Sequence, residues 1–194
     1  MLKDNNLILS ITFLLKIVLV NLITIKNIRN LNNYISEIHL IIKGSGNQEI
    51  LNSVFYTVPS EVIVNGNSKG DTCKKSCDLD EDINNVVLKF ENKIKSCNLM
   101  FNHLKNIIEI DLSYFDTSEV TDIQWMFCFC SNLEKINFGK INTSLVENMN
   151  LLFCGCSKLT TIDLSHFDTS KVIKMNSMFN SCTYKFKIFR FIKF

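Results

Sequence analysis

Four phenylalanines, Phe101, Phe127, Phe153 and Phe179, stand 26 residues apart at every step. Cys130, Cys156 and Cys182 keep the same interval, as do Ile110, Ile136 and Ile162, and Thr117, Thr143 and Thr169. Val120, Val146 and Val172 follow it, and Ile123, Met149 and Met175 hold a further apolar position. A partial copy lies upstream, with Ile94, Cys97, Met100 and Phe101 at matching places. One unit of this size cannot bury its own apolar stripe, so the copies must pack on one another.

Each unit reads in two halves. The first is Ile107-x-x-Ile110-x-Leu112, repeated as Leu133-x-x-Ile136-x-Phe138 and Leu159-x-x-Ile162-x-Leu164. Its last three positions alternate apolar, polar, apolar, which predicts a short strand. The second half opens on Asp116-Thr117-Ser118 or Asp168-Thr169-Ser170, short polar residues suited to a helix N-cap. Ser144 and Glu147 have capping-box spacing. Val120, Ile123, Met126 and Phe127 then recur at the spacing of one helix face. The expected fold is an α/β solenoid, a leucine-rich-repeat-like stack of strand-plus-short-helix units.

The phrases IDLSYFDTSEVTDIQWMFCFCSNLEKINF and TIDLSHFDTSKVIKMNSMFNSC resemble the BspA-like leucine-rich-repeat surface proteins. That family shares its repeat with a mycoplasma-type domain of unknown function. The resemblance covers roughly residues 98–182. It implies a secreted or surface-exposed protein, with adhesion as one role among members. Asn142 and Ile141 depart from the family's turn Asp and Phe, and Trp125 fills a variable position.

Upstream, Ile38–Ile42, Glu61–Val64 and Asn84–Phe90 read as strands, the second closing on the turn dipeptide Asn65-Gly66. They predict a small N-terminal β cap over 31–93, ahead of repeats spanning 94–182; an independent binding domain is the alternative. The acidic stretch between Gly66 and Ile83 reads as a loop. Leu7–Ile25 is apolar apart from Lys16 and Asn21, so residues 1–30 read as a signal peptide or signal-anchor helix. The expected location is extracellular or at the cell surface, with a membrane anchor if that segment is retained. Residues 183–194 alternate basic and apolar residues and fit the repeat only at Ile188, which suggests an irregular tail or a truncated repeat.

Lys plus Arg is 21 against 19 for Asp plus Glu, a net charge of +2, which argues against a nucleic-acid partner. Cys73, Cys77 and Cys97 are candidates for a disulfide in an exported chain. A zinc site there lacks a convincing fourth ligand, so no metal and no cofactor is expected. Cys128, Cys130, Cys154 and Cys156 follow the repeat and read as small buried hydrophobes. Asp111 and Asp163 occupy one repeat position with Asn137 between them, which suits a repeat better than an acid–base pair. No nucleophile stands beside a recognisable base, so the chain is not read as an enzyme.

The surface is what remains. Residues flanking the inward strand positions predict a ligand-binding face made of Glu109, Asp111, Glu134, Lys135, Asn137, Thr160, Thr161 and Asp163. The expected function is an exported, non-catalytic protein that binds a protein or cell-surface ligand. A self-associating structural surface protein is the alternative. Asn142-Thr143-Ser144 is a candidate glycosylation sequon at Asn142.

Overall fold

A computed structural model describes residues 36–182 and the backbone of 187–189. The apolar run Leu7–Ile25 and most of the tail after Cys182 lie outside the described residues. Regular structure is almost all β. In chain order the strands are β1 (Ser36–Lys43), β2 (Gly46–Glu49), β3 (Glu61–Val64), β4 (Asn67–Ser68), β5 (Ser76–Leu79) and β6 (Ile83–Phe90). The repeats add β7 (Ile107–Asp111), β8 (Lys135–Asn137), β9 (Thr161–Asp163) and β10 (Lys187–Phe189).

Strand alternation sets the upstream part. In β1, Ile38, Leu40 and Ile42 point inward, and in β6 Val86, Leu88 and Phe90 do the same. These strands are antiparallel, with Leu40 opposite Val86. The stretch read as a loop after Gly66 is structured: β4 closes a hairpin on β3, and β5 pairs with β2.

One six-stranded sheet runs in the order β4-β3-β6-β1-β7-β8. Its β1–β7 pairing is antiparallel and its β7–β8 pairing is parallel. The upstream strands and the first repeat strands therefore share one sheet and one core. An irregularity in register between Ile41 and Ile42 inserts an extra residue on β7, so that Ile107 and Ile110 both face inward.

The repeat interval is a physical register. Ile110 pairs with Ile136, Ile162 with Ile188, and isolated parallel bridges link Ser96, Asp122, Asn148 and Lys174 in succession. Phe101, Phe127, Phe153 and Phe179 stack with centroid separations of 6.0, 5.5 and 5.4 Å.

The expected helices do not form. Among the described residues there is no α-helix, only a three-residue 3-10 turn at Gly70–Thr72. An α-helix needs each N–H to reach the carbonyl four residues back. Here the N–H groups of Met100, Asn102 and Leu104 reach only three residues back, to Cys97, Leu99 and Phe101. The N–H groups between them leave the unit: Leu99, Phe101 and His103 donate to Gln124, Met126 and Cys128 of the next copy. Left-handed backbone enforces this alternation. It recurs at Leu99, Trp125, Leu151 and Ser177, and again at His103, Phe129, Gly155 and Ser181. Linked four-residue turns place apolar side chains at nearly the same intervals as a helix face, which is why the pattern reads as helical. The α/β solenoid with a helical side is thus replaced by a mixed six-stranded sheet joined to a series of turns.

The capping-box expectation falls with the helix. The Ser144 hydroxyl donates to Asn142 Oδ1 at 2.7 Å, and the Glu147 N–H donates to the Thr121 carbonyl at 2.9 Å. The Asp and Asn residues at this position instead close Asx-turns: Asp116, Asn142 and Asp168 accept from the N–H of Ser118, Ser144 and Ser170.

Candidate functional site

Among the described residues the core takes one face of the sheet and leaves the other open. Ile63, Val87, His39, Asp111 and Asn137 form a row across β3, β6, β1, β7 and β8. Asn85, Ile41, Glu109 and Lys135 form the next row. Between them lies a hollow of about 410 Å³. Ile41 and Val87 give it an apolar floor, while His39, Asn85, Glu109, Asp111, Lys135 and Asn137 supply polar walls.

Hydrogen bonds fix these walls. Asp111 Oδ1 accepts from the Ser113 N–H at 2.8 Å and from Asn137 Nδ2 at 3.1 Å. Burial pushes the Asp111 carboxyl up, but the Ser113 and Asn137 hydrogen bonds and the nearby His39 outweigh it and hold the group below the usual carboxylate value. Lys135 Nζ lies 3.4 Å from Glu109 Oε2, so that pair is self-neutralised. His39 Nε2 is 3.1 Å from Glu37 Oε2, and its ring stacks on Tyr114 with centroids 5.5 Å apart. Tyr114 is 65% exposed and stands beside the hollow on His39. Beyond them, Lys89 pairs with Glu61 at 3.1 Å, and this contact lowers the Glu61 carboxyl.

Four of the eight residues expected on a binding face, Glu109, Asp111, Lys135 and Asn137, come together here. The other four do not. Glu134 is exposed and pairs with Lys158 at 3.7 Å. Thr160, Thr161 and Asp163 are exposed on or beside β9, which belongs to a separate two-stranded sheet with β10. His39, Ile41, Asn85 and Val87 were not singled out by the sequence as site residues. Their signal is the period-two alternation of β1 and β6, which places apolar Ile41 and Val87 on the outward side.

Cys73 and Cys77 form a disulfide that closes the turn before β5, and both are buried. Cys97 is a free buried thiol, and burial raises its proton affinity. Cys130, Cys156 and Cys182 each donate Sγ–H to a phenylalanine carbonyl, of Phe101, Phe127 and Phe153, at 3.0 to 3.1 Å. Among the described residues, no three His, Cys, Asp or Glu side chains cluster as a metal site. His166 and Asn142 are both exposed.

No curated protein and no solved structure matches the chain. A protein family does match, across β6, the repeats and into β10. Over residues 81–188 the chain belongs to the family described as Mycoplasma protein of unknown function, DUF285.

Proposed function

We propose that this is an exported, non-catalytic binding protein that docks a partner on the open face of its six-stranded sheet. The observation that carries this reading is the hollow of about 410 Å³, with half-buried apolar side chains ringed by oriented polar groups. Pockets for ligands combine those two features. The Cys73–Cys77 disulfide supports an oxidising location outside the cytosol. The likeness of the repeat phrases to BspA-like surface proteins supports adhesion as the setting.

The test uses the full-length chain, displayed on cells and probed with extracellular matrix proteins. Val87→Arg fills the hollow from an outward strand position and leaves the core untouched. The expected result is binding to at least one matrix protein that Val87→Arg abolishes, with the far-ultraviolet spectrum unchanged. Binding that Val87→Arg leaves intact, or no binding at all, overturns the reading. Self-assembly of the chain in place of binding favours a structural surface protein.

A further inference from the structure

We propose that the hollow on the open sheet face is a binding site for a short, neutral oligosaccharide, a ligand class that rests on the binding reading above. Three observations meet there. The first is an aromatic platform. Tyr114 is 65% exposed and held by its contact with His39, so the ring is presented to solvent. The C–H face of a sugar ring is weakly electropositive, and an aromatic face carries the opposite charge.

The second is unspent hydrogen-bonding capacity. The Ser113 N–H and the Asn137 amide both use Oδ1 of Asp111, and the Ser113 side chain also bonds the carboxylate, which still has lone pairs to accept from a ligand hydroxyl. The Asn85 side-chain amide on the facing wall is unpartnered among the described residues; Asn85 bonds Asn65 through its backbone, the N–H donating to Asn65 Oδ1 and the carbonyl accepting from the Asn65 N–H. A carboxylate acceptor opposite an amide that both donates and accepts suits vicinal hydroxyls, which also do both.

The third is charge. Lys135 lines the hollow and is neutralised by Glu109, so among the described residues the hollow offers no unpaired Lys or Arg to hold an anion. Asp111 is held ionised, which disfavours an anionic sugar further. An apolar floor of Ile41 and Val87 completes a site for a ligand that is polar at its edges and apolar on its face.

The test titrates the full-length protein with maltohexaose, cellohexaose and chitohexaose by calorimetry, with a heparin hexasaccharide as the anionic comparison. At least one neutral hexasaccharide is expected to bind with a dissociation constant of about 1 mM or tighter. Tyr114→Ala and Asp111→Asn are each expected to weaken it about tenfold or more. Asn at 111 preserves the turn, because Asn137 closes the equivalent turn in the next unit. No binding by any neutral hexasaccharide, binding indifferent to Tyr114→Ala, or tighter binding of the heparin fragment overturns the proposal. A matrix protein still captured through a Val87-dependent face, with no sugar bound, overturns the saccharide and leaves the docking face standing.

Discussion

The rings of Phe127 and Phe153 lie parallel, 1° apart in tilt, with centroids 5.5 Å apart. Both are essentially inaccessible to solvent. Phe138 packs edge-on against both, at 6.4 and 6.2 Å. Removing one ring from the middle of this stack leaves a cavity that two neighbouring units share. Phe153→Ala is expected to cost about 3–5 kcal/mol in urea unfolding. Tyr114→Ala, at an exposed position, is expected to stay within about 0.5 kcal/mol. Equal effects of the two would remove the case for the stack as core.

Gly155 shows what the left-handed positions demand. Its φ is +71°, and a Cβ built there would sit 2.5 Å from Cδ1 of Phe129. Gly155→Ala therefore meets backbone strain of about 1–3 kcal/mol and a steric clash together. Phe129→Ala removes only the clash. In a double-mutant cycle Gly155→Ala is expected to be milder in the Phe129→Ala background, with a coupling of about 0.5–3 kcal/mol. A coupling of zero would mean that strain alone fixes glycine at this position.

Thr143 ties two units through one buried hydroxyl. It donates to the Asp168 carbonyl at 3.0 Å and accepts from the Asp168 N–H at 2.7 Å. Thr143→Val keeps the shape and leaves both Asp168 groups unpaired. The expected loss is about 1–3 kcal/mol, largely restored by Thr143→Ser. If serine is no better than valine, the hydroxyl is not what matters at this position.

Much of this was legible in the sequence, because identical chemistry at a fixed interval has one simple explanation. Ile110 opposite Ile136 and the phenylalanine stack follow directly from that interval. The helices were misread because Val120, Ile123 and Met126 recur every third residue in linked turns nearly as on a helix. Left-handed backbone at Leu99, Trp125 and Leu151 has no compositional signature, since none is glycine. The site was half legible. Asp111 and Asn137 were visible as outward repeat positions, whereas His39 and Val87 required the antiparallel pairing of β1 with both β6 and β7. That pairing joins segments far apart in the chain, and no local pattern encodes it.

The buried thiols set the stability at high pH. Burial raises Cys97, Cys130 and Cys156 well above the ordinary thiol value, and it pushes Cys128 from 9.0 up to about 12, with Cys154 beside it adding to the effect. In the unfolded chain these groups ionise near 9.0. Between that value and the folded one, the unfolded state has lost protons that the native state still holds. Stability therefore falls as pH rises through this window and is fully present below it. Each such thiol contributes a slope of about 1.4 kcal/mol per pH unit. Urea midpoints are expected to be flat with respect to these thiols below pH 8 and to drop steeply above pH 9. Cys130→Ala removes one titrating group and is expected to make the drop shallower by one proton, although it also loses the Sγ–Phe101 hydrogen bond and lowers stability at neutral pH. An unchanged slope in Cys130→Ala would place the alkaline loss elsewhere in the molecule.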